Sequence, residues 1–361
     1  MDKYYYEVNK MKKWKENIRA IAPYVPGEQP QNTNVIKLNT NESPYAPSPA
    51  INEAIKKYNN NNLRLYPSFV CKDLKLALME KYPVSENELF LGNGSDEVLA
   101  LCFMTFFNSK KPVLFPDITY SFYDVWCNLY NIPYKRLSLD DNFKFIKEDY
   151  YGENGGIVIA NPNAPTSIYM ELSDIEDIIK NNKDVIIIVD EAYIDFGGKS
   201  AVDLIHKYDN LVIVQTYSKS RALAGIRVGY AMADTELISA LEAVKNSFNS
   251  YTLNSLSQVI ATASAKDKDY FNKCVNKIIS TREWTIKELA KLGFETLPSK
   301  ANFIFTTNKN ISAEKLFNYL KEKNIFVRYF NKPRISEYLR ITIGTMEQME
   351  ALINAIKEYK Q

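Results

Sequence analysis

Lys219 lies in 216-TYSKSRALAGIRVGY-230, among the hydroxyls of Thr216, Ser218 and Ser220. The apolar run 211-LVIVQ-215 comes directly before it, and Arg227 follows eight residues on. A solvated surface lysine needs none of these neighbours. An amine that is desolvated or crowded by positive charge has a lowered pKa and attacks carbonyls. Schiff-base chemistry beside a bound phosphate would use the whole group, with Ser218 and the two-pronged guanidinium of Arg227 gripping the phosphate. Once freed, the same amine can carry a proton between neighbouring carbons.

Other residues suit the same chemistry. Gly92-Asn93-Gly94-Ser95-Asp96-Glu97 follows an apolar run and opens a helical pattern. Free N–H groups at a helix start, with glycines allowing close approach, bind phosphate, and the Ser95 hydroxyl adds a donor. Asp190 ends the run in 184-DVIIIVDEAY-193. A carboxylate at the end of a buried strand is costly unless paired. A protonated pyridine nitrogen would be a suitable partner, and the pair would keep an electron sink charged. Tyr193, two residues past Glu191, returns to the same face if the chain stays extended, where it would meet a phenolic oxygen on that ring. Glu191 reads as structural. Tyr120, in 116-PDITYSFY-123, could stack on the ring, and Asn161 or Asn163, in the turn 161-NPNAPTS-167, could donate to its oxygen. Arg340, in a strand-like 339-LRIT-342, and Arg328 twelve residues earlier would clamp anionic groups if both face one crevice. Each residue also has an ordinary reading as a cap, a core tyrosine or a surface arginine. Their convergence is the stronger signal.

The elements that must position them are α/β. Short apolar runs, 89-LFL-91, 113-VLF-115, 157-IVIA-160, 185-VIIIV-189 and 211-LVIV-214, alternate with amphipathic helices. The runs do not alternate with polar residues, so both faces are expected to be buried, as in a parallel sheet covered by helices. In 173-SDIEDIIKNN-182, Ser173 and Glu176 form an expected capping box and Ile175, Ile178 and Ile179 one apolar face. Ligands of such sheets collect at the carboxyl ends of the strands, where the residues above sit. After about residue 253 a long helical stretch (254–291) precedes strands in 294–307, 325–330 and 339–344, a helix at 313–323 and a final helix at 346–359. The expected organisation is an N-terminal segment (1–45) packing with a small domain and a dimer partner, a large domain (46–253) with a mostly parallel sheet, and a small C-terminal α+β domain (254–361). The asparagines 59–62 read as a polar loop.

Composition removes other classes. A net charge of +2 without like-charge runs argues against nucleic acid or a membrane surface as partner. The four cysteines have no metal-like spacing, suit small buried positions, and fit a reducing cytoplasm. A single histidine, His206, excludes a His-rich metal site and leaves proton transfer to Lys, Tyr, Asp or Glu. The first twenty residues lack an apolar core, so no signal peptide is expected. The most apolar stretch, 98-VLALCFMTFF-107, is about half a membrane span and reads as a buried helix.

Together, 38-LNTNESPYAPSP-49, 64-RLYPS-68, 92-GNGSDE-97, 161-NPNAPTS-167, 189-VDEAYIDF-196, 216-TYSKSRALAGIRVGY-230, 298-PSKANF-303 and 339-LRITIGT-345 resemble the fold-type I aminotransferases dependent on pyridoxal 5′-phosphate (PLP). The likeness runs nearly end to end and is strongest to the branch that exchanges an amino group between histidinol phosphate and glutamate. The resemblance implies a ping-pong transaminase with Lys219 joined to PLP as a Schiff base and acting as proton shuttle. It implies Asp190 at the ring nitrogen, Tyr193 and an asparagine of 161–163 at the ring oxygen, and Tyr120 stacked on the ring. Gly94, Ser95, Asp96, Ser218 and Arg227 would hold the cofactor phosphate, joined by Tyr66 from the second subunit of a homodimer. Arg340 would take the glutamate carboxylate, and Arg328, Tyr24 and Asn41 would contact substrate. Many relatives have Asn-Asn-Pro-Thr-Gly where this chain has Asn163-Ala164-Pro165-Thr166-Ser167, so which asparagine meets the ring stays open. Alternatives are a threonine-phosphate decarboxylase, an aromatic amino acid aminotransferase, or a non-catalytic phosphate-binding module. The chain lacks the GxxxxGK[ST] and GxGxxG loops that the last would favour.

Overall fold

The computed structural model describes residues 13–30 and 34–360; the first twelve residues of the N-terminal stretch discussed above lie outside them. Seven strands form the main sheet: β1 (Leu89–Gly92), β2 (Val113–Pro116), β3 (Tyr134–Leu137), β4 (Gly156–Ala160), β5 (Ile187–Asp190), β6 (Leu211–Thr216) and β7 (Gly229–Ala233). Their order is β1-β7-β6-β5-β4-β2-β3. All pairings are parallel except those of β7, which runs antiparallel to both β1 and β6.

The apolar runs are unbroken because each face of the sheet feeds its own core. Ile157, Ile159, Ile187, Val189, Leu211 and Ile213 pack on one side, with Leu74, Leu78, Ile175 and Ile178. Val158, Ile188, Val212 and Val214 pack on the other, with Val98, Cys102, Phe103, Tyr123 and Trp126. Each of these aliphatics contributes roughly 1.5–3 kcal/mol through burial. The stretch around 98–107 is, as expected, a buried helix (Ser95–Phe106). All four cysteines are buried and free, and burial pushes the thiols of Cys71, Cys102 and Cys127 upward.

A second, four-stranded antiparallel sheet, in the order β10-β11-β9-β8, joins β8 (Glu295–Thr296), β9 (Phe303–Thr307), β10 (Arg328–Tyr329) and β11 (Tyr338–Thr342). It packs on the helices Lys268–Lys291, Ala313–Glu322 and Met346–Lys360. The N-terminal segment lies beside it: Ile36 and Lys37 pair in parallel with Ile325 and Phe326 as a separate two-stranded sheet, and the Leu38 carbonyl accepts from the Thr342 N–H. Among the described residues no helix is long and apolar enough to cross a membrane, and none of their acidic, histidine or cysteine side chains cluster as a metal site.

Three local expectations are corrected. The helix carrying Ile175, Ile178 and Ile179 starts at Leu172, so Ser173 lies inside it and forms no capping box; Glu171 is at the N-cap without a side-chain bond. The asparagine run is a 3-10 helix (Asn60–Arg64), capped by the Asn59 side chain accepting from the Asn61 N–H. The chain is not extended after Asp190: β5 ends there, and Tyr193 leads into a 3-10 turn with ψ of 6°. Tyr193 is therefore directed by a turn and not by strand alternation.

Candidate active site

The ends of β4, β5 and β6 stand nearly level, Ala160 beside Asp190 and Asp190 beside Val214. At this edge a cavity of about 300 Å³ is lined by residues from both sheets and from the N-terminal segment. That volume is at the lower end of ordinary small-molecule sites.

One corner is built for an anion. The helix Ser95–Phe106 begins at Gly94, with φ of +85°, and no side chain caps its first turn. Ser95, Asp96, Ser218 and Arg227 line the cavity here. Arg227 Nη2 donates to Asp96 Oδ2 at 3.0 Å and Nη1 to Ser218 Oγ at 3.5 Å. Gly94 itself does not line the cavity; its missing side chain makes room for the Arg227 guanidinium. Gly229, which no sequence pattern singled out, works the same way. A Cβ there would lie 2.3 Å from the Ser95 nitrogen, so β7 can pass beneath the helix start only as glycine.

Asp190 is buried at the next wall. Its Oδ2 accepts from the Tyr123 hydroxyl at 2.9 Å and its Oδ1 from the Ala192 N–H. Burial pushes the carboxyl up to about 6, against those two hydrogen bonds and, more weakly, the Lys219 charge. Tyr123, which escaped the sequence reading, lies three residues after Tyr120 in the first turn of the helix Phe122–Tyr130. Tyr120 lines the cavity and donates to Asp96 Oδ1 at 2.8 Å. Neighbouring Glu191 is buried and turned away; it accepts from Ser200, Ala201 N–H and Gln215, as a structural residue would.

The asparagines require a correction. Asn163 Nδ2 donates to Ile118 O and Thr166 Oγ1, which uses both its protons. Asn161 is bonded to both backbone groups of Met170. Neither lines the cavity; Ala164 does. The turn folds these amides inward because its buried backbone groups need partners, so neither reaches a ligand.

Lys219 is half-buried and lines the cavity. Its Nζ is 3.4 Å from the Thr40 carbonyl and 5.7 Å from the centre of the Tyr193 ring. The surrounding hydroxyls hold the turn: Thr216 donates to Ser218, and Ser220 donates to Asp195, which also pairs with Lys81. Tyr193 lines the cavity too and accepts from Asn41 Nδ2 at 2.9 Å.

The small sheet supplies the opposite wall. Arg328 and Arg340 are cross-strand partners, and both line the cavity. Arg340 lies over the rings of Phe303 and Phe330, donates to the Asn39 carbonyl at 2.8 Å, and keeps a buried Nε with no partner. Burial pulls its pKa below the usual arginine value. Tyr24 closes this side, stacked on Phe122 at 4.2 Å. Tyr66 is elsewhere, 82% exposed and stacked on Tyr251. His206 is also remote, bonded to the Pro83 carbonyl.

A buried acid, an amine without a carboxylate partner among the described residues, an open helix start and paired arginines thus meet in one cavity. Residues 33–356 match the family model described as aminotransferase class I and II. The chain belongs to that family. Its overall similarity to curated relatives is high. It is 53% identical over 346 residues to a histidinol-phosphate aminotransferase of Lactococcus lactis subsp. cremoris (strain MG1363), covering 96% of this chain and 97% of that one. It is 51% identical over 347 residues to the protein of the same name from Clostridium botulinum (strain Okra / Type B1), covering 96% and 98%. A solved histidinol-phosphate aminotransferase from Sinorhizobium meliloti, in complex with pyridoxal-5′-phosphate, has the same fold: TM-score 0.80 at 20% identity, over 90% of this chain and 91% of that one. This aminotransferase is a transaminase of small molecules, and PLP is its cofactor, as for its family. The cavity fits that group: the uncapped helix start and Arg227 suit its phosphate, and buried Asp190 suits its ring nitrogen.

Proposed function

We propose that this chain transfers an amino group between histidinol phosphate and glutamate, with 3-(imidazol-4-yl)-2-oxopropyl phosphate and 2-oxoglutarate as the oxo partners, a step of histidine biosynthesis. The observation that carries the reading is the cross-strand pair Arg328 and Arg340, two cations facing the cavity that holds Lys219. A substrate with a phosphate at one end and an amine at the other, alternating with a dicarboxylate, suits that charge pattern.

In this reading Lys219 holds the cofactor aldehyde, and Ser95, Ser218, Arg227 and the backbone N–H groups at Asp96 hold its phosphate. The bound cofactor supplies an electron sink. Asp190 keeps a proton on the ring nitrogen, and Tyr193 donates to the ring oxygen. Tyr120 packs on the ring. Once free, Lys219 Nζ would take the proton from the amine-bearing substrate carbon and pass it to the cofactor carbon within the same half-reaction; the second substrate would run the same transfer in reverse. Arg340 binds the carboxylate of glutamate; Arg328 and Tyr24 bind the phosphate end of the other substrate.

We further infer a cytoplasmic homodimer in which Tyr66 of the partner subunit completes the phosphate site. The exposure of Leu63, Leu65, Tyr66, Phe69 and Val70 in one stretch supports a covered face there. The division into segments 1–45, 46–253 and 254–361 belongs to the same proposal, supported by the separate cores of the two sheets.

The test is a half-reaction screen. Yellow holoenzyme is mixed with histidinol phosphate, threonine phosphate, aspartate or phenylalanine. Histidinol phosphate is expected to bleach it, and 2-oxoglutarate to restore the colour with formation of glutamate. Release of carbon dioxide from threonine phosphate, with histidinol phosphate inert, would replace this reading with a decarboxylase.

A further inference from the structure

The cavity lacks the asparagine expected at the ring oxygen, because Asn161 and Asn163 are committed to their own turn and Ala164 faces the space. A different amide stands nearby. Asn41 Nδ2 is 2.9 Å from the Tyr193 hydroxyl oxygen. We propose that Asn41 is a positioning residue: it donates into the Tyr193 oxygen and so leaves the tyrosine's own proton to point into the cavity, at the ring oxygen of the bound cofactor. The proposal rests on the role given to Tyr193 above.

The protons can be counted. The Asn41 backbone N–H donates to Thr342 Oγ1 at 3.0 Å, and the single proton of that hydroxyl goes to Asn41 Oδ1 at 3.0 Å. The amide oxygen therefore faces Thr342, and the NH₂ group faces Tyr193. An amide nitrogen has no lone pair to offer. Tyr193 must accept on that side, and its O–H is directed elsewhere. The arrangement is held firmly. Asn41 is 1% exposed, its φ is +58°, and its carbonyl takes a bond from Asn302 Nδ2 at 3.0 Å. Thr342 ends β11, so the small sheet reaches the Tyr193 hydroxyl through the Asn41 side chain.

The readout is the pH midpoint of the visible absorption change of the bound cofactor. A hydrogen bond donated to the ring oxygen disperses its negative charge and so loosens the proton on the nitrogen of Lys219. Losing that bond raises the midpoint. Tyr193→Phe is expected to raise it by about one pH unit, a tenfold change in the proton equilibrium. Asn41→Gly, which tolerates the positive φ, is expected to raise it by about half of that. In the Tyr193→Phe background Asn41→Gly is expected to add nothing, because the pair acts as one unit. If Tyr193→Phe moves the midpoint and Asn41→Gly does not, the proposal falls and the tyrosine's role stands. If neither moves it, both fall. An equal shift from Asn41→Gly in the two backgrounds also overturns the proposal. Should Asn41→Gly fail to fold, Thr342→Val removes the hydroxyl that orients the amide and is expected to move the midpoint the same way; an unchanged midpoint there counts against it.

Discussion

A Cβ on residue 94 would fall 2.5 Å from Nη2 of Arg227. The glycine and the arginine are thus two halves of one feature, a guanidinium lying directly against the start of a helix. Gly94→Ala would push Arg227 away and strain a backbone at φ of +85°. Loss of one charge-assisted hydrogen bond is worth roughly 1.5–3 kcal/mol. PLP affinity is therefore expected to fall roughly tenfold to hundredfold. Titrating cofactor-free protein with PLP checks this; unchanged affinity would remove Arg227 from the phosphate site.

Lys219→Arg keeps the charge and removes the chemistry. A guanidinium does not deprotonate in proteins and cannot attack a carbonyl or shuttle a proton. Turnover is expected to drop by at least ~100-fold, while the fold, whose turn is held by Thr216, Ser218 and Ser220, persists. Borohydride reduction of wild-type holoenzyme followed by peptide mass mapping should fix the cofactor on the peptide containing Lys219. Near-normal turnover of the variant, or label elsewhere, defeats the assignment.

Asp190 predicts a pH effect on the cofactor-free protein. Burial raises its native pKa to about 6, whereas the unfolded chain titrates near ~3.9. Between about pH 4 and 6 the native state binds more protons than the unfolded one, so this group lowers stability as pH rises through that window. Above it the penalty reaches at most about 3 kcal/mol. Asp190→Asn is expected to make cofactor-free protein more stable than wild type at about pH 8, with the gain vanishing near about pH 4, while cofactor function is lost. Urea unfolding at the two pH values decides it; a gain that persists in acid would show that the carboxylate is not the cause.

Much of this site was legible because its chemistry sits at strand ends, and strands buried on both faces announce themselves as unbroken aliphatic runs. β4, β5 and β6 were visible for that reason. β3 was not: Tyr134-Lys135-Arg136-Leu137 is an edge strand, mostly exposed. Nor was β7, which reads Gly-Tyr-Ala-Met-Ala and whose Gly229 is small because a helix start passes over it. Contacts distant in sequence were also hidden. Tyr123 meets Asp190 across 67 residues, and Thr342 meets Asn41 across 301. The asparagine-rich turn misled for a related reason, since its amides satisfy buried backbone groups that no local pattern reveals.

In the proposed reading the two arginines serve different substrates. Arg340 is braced by Phe303 and Phe330 and has an unpartnered Nε, whereas Arg328 sits across the strand from it. Arg340→Ala is expected to raise KM for 2-oxoglutarate roughly tenfold to hundredfold. Arg328→Ala is expected to act mainly on the phosphorylated amine. Arg340→Lys should restore little, since a point charge does not replace a planar fork. Steady-state constants for both substrates check this; equal effects of both alanine variants on both substrates would reject the division of labour.

Tyr66 tests whether the site is shared between subunits. Its ring stacks on Tyr251 and its side chain stays 82% exposed, outside the cavity of its own chain. If the partner's Tyr66 completes each phosphate site, Tyr66→Ala damages the neighbouring site and Lys219→Ala damages its own. A hybrid dimer of the two variants then carries one site with both defects and one with neither. Mixing and reassembling the two inactive preparations is expected to recover activity that neither parent has, rising with the hybrid fraction and absent when subunit exchange is blocked by cross-linking beforehand. Failure to recover any activity from verified hybrids would mean that Tyr66 does not serve the other subunit's site, and that the exposed stretch around it has another purpose.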